Sequence, residues 1–130
     1  MCSSDLLRVG DMVMQSGTTA IDTEGNVIGE GDVAAQVDAI VDIARQSMGK
    51  AGGRLEDVVR TRTYLTDLSV ANEAGRALGK YFRDVRPAAT LVGVNRLARP
   101  AQLIEIEFDA IDGAEQNAQR ISSEIGRAHV

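Results

Sequence analysis

The 130-residue chain has one cysteine, one histidine, no tryptophan, two tyrosines and two phenylalanines. A single thiol excludes an intrachain disulfide. One thiol and one imidazole also fall short of the Cys and His ligands that a zinc site needs, so no metal is expected. Stacking platforms are scarce, and 19 acidic side chains outweigh 14 basic ones for a net charge of −5. A chain with neither a phosphate-neutralising surplus nor aromatic platforms is not built for nucleic acid. No apolar run approaches the roughly 20 residues of a membrane span, and the amino end lacks the charged-then-apolar layout of a secretory signal. The expectation is a cytoplasmic protein with no membrane partner. What remains is one domain's worth of sequence, long enough to bury about two thirds of the surface its unfolded chain exposes.

The two ends share an oddity. Met1-Cys2-Ser3-Ser4-Asp5-Leu6 can be encoded as GTG TGC TCT TCC GAT CT, and the reverse complement of that stretch reads Glu124-Ile125-Gly126-Arg127-Ala128-His129. The segment resembles a sequencing-library adapter. The expectation is that residues 1–6 and 124–130 are adapter-derived, which removes Cys2 and His129 from the chemistry and leaves the chain acidic. Residues 7–112 then form a single domain, followed by a loose polar tail over 113–123.

Along that domain the hydrophobic period changes in a readable order. Leu7 to Ser16 alternates around Val9-Gly10-Asp11, predicting two short strands joined by a Gly-Asp turn. After a turn-rich stretch, Asp32 is placed to cap a helix whose Val33, Val37, Ile40, Val41, Ala44 and Met48 form one apolar stripe, stopped at Gly52-Gly53. Leu55 to Leu65 reads as a strand with Val59, Thr61, Thr63 and Leu65 inward and Arg60, Arg62 and Tyr64 outward. A second helix follows from Asp67 or Ser69 to Phe82, then an extended segment over Ala89 to Val94. The last strand sets Ile104, Ile106, Phe108 and Ala110 against Glu105, Glu107 and Asp109. The order β-β-α-β-α-β-β predicts an α+β fold, a two-layer sandwich of a mixed β-sheet with two helices on one face. The other sheet face is charged. It is either solvated or paired with symmetry mates in a small ring.

Proton transfer requires a titratable group in a partly dry place. Glu105, Glu107 and Asp109 are candidates, their i, i+2 spacing stacking carboxylates about 7 Å apart, although alternating acids also describe a wet strand face. The Ser16-Gly17-Thr18 corner offers amides and hydroxyls that could hold an anion, or is an ordinary turn. Arg83, Arg86, Arg96 and Arg99 flank the last two strands, where each could grip a carboxylate or simply be solvated. Glycine spacing matches no phosphate loop.

The run Arg86-Pro87-Ala88-Ala89-Thr90-Leu91-Val92-Gly93-Val94, then Leu97, Pro100 and Leu103-Ile104-Glu105-Ile106-Glu107-Phe108-Asp109-Ala110, resembles the carboxy-terminal signature of the Rid family, also called YjgF. Val9-Gly10-Asp11 to Ser16-Gly17, Gly49 to Asp57 with Val58-Val59, and Thr63-Tyr64-Leu65-Thr66-Asp67-Leu68 fit the same family in the same order. The likeness covers nearly all of Leu7 to Asp112. It implies a chorismate-mutase-like subunit in a homotrimer with ligand clefts between neighbours. Active members hydrolyse reactive imines and enamines, such as 2-iminopropanoate and 2-iminobutanoate, to 2-keto acids and ammonia without a cofactor. In that scheme Glu105 matches the glutamate that positions water, Gly17 the glycine of the cleft, and Thr90 and Leu91 positions that line it.

One position departs from the pattern. Where deaminating members read Pro-Ala-Arg-Ser, this chain reads Pro87-Ala88-Ala89-Thr90, so Ala89 stands in place of the arginine that binds the substrate carboxylate. Charge-assisted hydrogen bonds are worth about 1.5 to 3 kcal/mol each, so losing one lowers affinity by more than about tenfold. The resemblance therefore implies an imine or enamine deaminase whose substrate is not a plain 2-imino acid, such as a ring or a neutral imine. The alternative is a non-catalytic homotrimer that binds a small molecule or serves as a scaffold.

Overall fold

The computed structural model describes residues 2–122; the expectation for residues 124–130 lies outside them. Strand β1 (Leu6–Val9) and strand β2 (Met12–Thr18) form a hairpin in which Val9 pairs with Met12. Only Gly10 and Asp11 turn the chain, with Gly10 at φ +56°, a conformation that glycine adopts without steric cost. Helix α1 (Val33–Gly49) begins where the Asp32 carboxylate accepts from the Ala35 amide. Strand β3 (Val58–Leu65) leads through a short turn of 3₁₀ helix into α2 (Ala71–Phe82) and then to strand β4 (Ala88–Gly93). Strand β5 (Ile104–Ile111) and a single-turn helix α3 (Ala114–Asn117) complete the described chain.

The sheet order is β1-β2-β5-β3-β4, with only β3 and β4 parallel. This is the expected α+β sandwich. Its last long strand lies in the centre, and β4 forms one edge. Val33, Val37, Ile40, Val41, Ala44 and Met48 of α1 pack into the core with Ile104, Ile106 and Phe108 of β5. The second helix adds Ala74, Ala77 and Phe82, and the Phe82 and Phe108 rings stand 6.0 Å apart. Asp38 ties the two helices together, accepting from the Tyr81 hydroxyl at 2.6 Å and the Lys80 ammonium at 2.8 Å.

Two details differ from the sequence reading. Alternation places Val59 inward, but the ladder slips between Val58 and Arg60, so Val58 is buried and Val59 only half-buried. An extra residue shifts the inward parity of everything before it, which alternation alone does not reveal. The start of the polar tail is also docked rather than loose. Ala114 is buried, the Glu115 amide donates to buried Asp57, and Arg120 donates to the Val85 carbonyl.

Phe108 is fully buried on the central strand, so Phe108→Ala removes both its transfer free energy and its packing partners. The expected loss is about 3–5 kcal/mol in unfolding free energy, read by urea titration. A loss below about 1 kcal/mol would mean that the core collapses around the vacancy.

Candidate functional site

The outward face of β5 carries Glu105, Glu107 and Asp109, and antiparallel pairing sets Tyr64, Arg62 and Arg60 of β3 opposite them in that order. These partners satisfy the acids unequally. Glu107 accepts from the Tyr64 hydroxyl at 2.7 Å and from Arg62 at 3.3 Å, and Arg62 also reaches Asp109 at 3.5 Å. Donation to Glu107 holds the Tyr64 phenol above its ordinary pKa. Glu105 has no side-chain hydrogen bond or ion pair among the described residues. Burial pushes its pKa above the ordinary 4.5, and the negative charge of Glu107 pushes it further.

The approach of β2 explains where that carboxylate sits. Gln15 pairs with Phe108 and Thr18 with Ile106, so β2 carries one more residue than β5 over this stretch and bulges. Gln15 and Thr18 both turn inward and are buried, while Ser16 and Gly17 lie exposed. A Cβ on Gly17 would stand 2.9 Å from Cδ of Glu105 and 3.3 Å from its Cγ, closer still to the carboxylate oxygen. Glycine is thus what lets this carboxylate lie against the β2 backbone.

Of the residues singled out by sequence, the fold brings together Glu105 and Gly17, with Ser16 adjacent. The Ser16 amide is committed to the Asp5 carbonyl at 2.9 Å. The Thr18 hydroxyl donates to the Ser16 carbonyl at 2.9 Å and accepts from Gln15, which braces the bulge rather than facing outward. Ala89, Thr90 and Leu91 lie on β4, beyond β3, opposite Thr61, Arg62 and Thr63 respectively. Two strand spacings, about 10 Å, therefore separate this set from β5 within one chain. Thr90 shares the charged face with Arg62, whereas Ala89 and Leu91 share the helix face with buried Thr61 and Thr63.

The sequence reading missed the amides that hold the loop before β5. Fully buried Gln36 donates to the Gly29 and Ala101 carbonyls and accepts from the Leu103 amide at 2.9 Å. Gln102 donates to the Thr19 hydroxyl and accepts from the Arg99 amide. The available signal was Gln36 itself, a polar residue at the helical period between Val33 and Ile40.

A carboxyl group with a raised folded-state pKa binds its proton more tightly folded than unfolded. Wild-type stability is therefore fully supported below pH 4.5 and declines as pH rises through the raised value. Glu105→Gln removes that decline. The variant is expected to be more stable than wild type at about pH 7 and to lose the advantage near pH 3.5, as read by urea unfolding at the two pH values. A variant less stable than wild type at neutral pH would mean that the charged carboxylate has a favourable partner.

Comparison with known proteins gives this geometry a setting. An archaeal RutC family protein of Sulfurisphaera tokodaii is 34% identical over 103 residues, spanning 79% of this chain and 82% of its own. A 3-aminoacrylate deaminase RutC of Acinetobacter baylyi is 31% identical over 99 residues, 76% of this chain and 78% of the relative. Among solved structures, Rv2704 of Mycobacterium tuberculosis, described as a YjgF/YER057c/UK114 family member, superposes with a TM-score of 0.76 at 38% identity, over 84% of this chain and 86% of that one. The YjgF gene product of E. coli gives 0.76 at 27% identity, over 85% and 87%. The family model described as Endoribonuclease L-PSP matches residues 3–112, and the chain belongs to this family, also known as YjgF or Rid.

Proposed function

We propose that this protein hydrolyses the C=N bond of a reactive imine, or of the enamine that tautomerises to it, giving a carbonyl compound and ammonia. The observation that carries the reading is Glu105: of three carboxylates on one strand face, it alone lacks a partner among the described residues, and its pKa is raised. A base of raised pKa, half-shielded from solvent, can take a proton from water as the oxygen adds to the imine carbon. The same carboxylic acid returns that proton to nitrogen, giving the carbinolamine; the carboxylate then takes the carbinolamine hydroxyl proton and passes it to nitrogen, so that the C–N bond breaks and ammonia leaves as the carbonyl forms. Water supplies both the oxygen and the hydrogens, so no cofactor is required. A relative named as a 3-aminoacrylate deaminase supports the same bond class. Such imines are reactive, and their removal is a damage-control reaction in the cytoplasm.

The Glu105 side and the β4 side are two strands apart in one chain, which supports assembly of the cleft from neighbouring copies in a homotrimer. In that arrangement Gly17 and Glu105 of one subunit face Ala89, Thr90 and Leu91 of the next. Ala89 offers no cation there, so the substrate is other than a plain 2-imino acid. With three acids on the face and a net charge of −5, a polyanionic RNA substrate is disfavoured. The same Ala89 is the observation behind a second reading, a non-catalytic trimer that binds a small ligand or acts as a scaffold.

Candidate imines generated by an amino-acid oxidase or a lyase test the reading, with imine loss followed directly. Glu105→Ala is expected to lower kcat/KM about 10²–10⁴-fold, the usual contribution of a positioned acid-base group. Gly17→Ala is expected to displace the carboxylate and lower the rate about 10²-fold with little loss of stability, because only the flexible end of Glu105 must move. Light scattering is expected to give a trimer of the 13.8 kDa chain. Turnover unaffected by Glu105→Ala would eliminate the mechanism, a monomer would eliminate the shared cleft, and ligand binding without turnover would favour the scaffold.

A further inference from the structure

The bulge that sets Gly17 against Glu105 is held from its buried side. Gln15 and Thr18 stand three residues apart, a spacing that regular alternation sends to opposite faces, yet both point into the core and each is 6% exposed. Between the Gln15–Phe108 and Thr18–Ile106 pairs, Ser16 and Gly17 together oppose the single residue Glu107. Behind those two residues the side chains close a chain of hydrogen bonds. Gln15 Nε2 donates to Thr18 Oγ1 at 3.3 Å, and the Thr18 hydroxyl donates to the Ser16 carbonyl at 2.9 Å.

The clasp leaves one atom unserved. Because the hydroxyl proton goes to Ser16, Thr18 meets Gln15 as an acceptor, so the amide nitrogen faces it and the amide oxygen is left over. Gln15 Oε1 is the one buried side-chain polar atom without a hydrogen-bond partner among the described residues. Its cross-strand partner Phe108 is fully buried and apolar. An unmet buried acceptor costs free energy, whereas an apolar side chain of the same shape does not carry that penalty. For the core alone, methionine would serve better at position 15. A local rule broken without gain to the core marks a place where function sets the choice. What the bulge serves lies on its other side, where the bare Gly17 backbone meets the Glu105 carboxylate.

We infer that Gln15 and Thr18 are positioning residues for Glu105: their hydrogen bond fixes the bulge, and the bulge fixes the orientation of the carboxylate and the share of its surface that water reaches. Bulges beside active sites re-aim side chains in this way. The titratable and charged groups facing Glu105 are Glu107 on β5 and Tyr64 on β3, with Arg62 beyond them, while β2 carries no charge. Loosening the bulge therefore changes the solvation of Glu105 and removes no charge around it. The inference deepens the hydrolytic reading of Glu105 and rests on that reading for its kinetic arm.

The test uses Gln15→Met and Thr18→Val in the full-length protein, with Thr18→Ser as the conservative variant. Three quantities are read: urea unfolding at neutral pH, the ¹³C-detected titration of the Glu105 carboxyl, and hydrolysis of the neutral imine that a flavin amine oxidase forms from benzylamine. Gln15→Met is expected to be at least as stable as wild type, since it removes the unmet acceptor. In the same variant Glu105 is expected to titrate lower, closer to the ordinary 4.5, because water reaches more of it. Its kcat/KM is expected to fall about 10- to 10²-fold, with the loss in kcat, as for a misplaced catalytic group. Thr18→Val is expected to give the same titration and kinetic changes, and Thr18→Ser, which keeps the hydroxyl, to restore both. A purely structural role would instead lower stability and leave the Glu105 titration where it is. An unchanged titration in both Gln15→Met and Thr18→Val would overturn the inference, as would a Thr18→Ser variant as impaired as Thr18→Val. The titration needs no turnover. Wild type that does not accelerate loss of the imine, or Glu105→Ala as fast as wild type, would count against the hydrolytic reading, while a lowered Glu105 pKa in the two variants would still uphold the positioning.

Discussion

Everything in this molecule is referred to the alternation of β5. Placed between β2 and β3, this strand gives one face to the core, through Ile104, Ile106 and Phe108, and the other to Glu105, Glu107 and Asp109. The period of two makes the faces inseparable. A one-residue slip would bury three acids and expose the centre of the core, so the packing that stabilises the fold also fixes where the carboxylates stand.

Selection among those carboxylates comes from the neighbours. Strand β3 supplies one tyrosine and one arginine that settle on Glu107 and Asp109. Glu105, one step further along, meets instead the bare backbone of Gly17 at the β2 bulge. Partial desolvation without a compensating donor raises its proton affinity, and the negative charge of Glu107 adds to this. A carboxyl group of raised proton affinity is thereby produced by withholding partners from one member of a row.

Much of the layout was legible in the sequence because period and capping chemistry are local. Asp32 before the Val33–Met48 stripe marked α1, and Glu105 to Asp109 against Ile104 to Ala110 marked β5 and its two faces. The motifs that carry the Rid likeness also gave the family, and among them stand Glu105 and Gly17, which the fold brings together. What escaped depended on the register between strands. The bulges at Val58 and after Gln15 turn Val59 out and Thr18 in, and neither leaves a trace in alternation along a single strand. The partners of Glu107 and the brace formed by Gln36 join residues far apart in sequence. They became visible only with the packing in hand.

The claim on which the chemistry turns is that Glu105 keeps its proton more tightly than an ordinary glutamate. A ¹³C-detected titration of the Glu105 side-chain carboxyl reads this directly in the folded protein. An apparent pKa above 4.5, lowered in Glu107→Gln but still above the ordinary value because burial is the larger cause, is the expected result. Titration of Glu105 at or below 4.5 in wild type would contradict it.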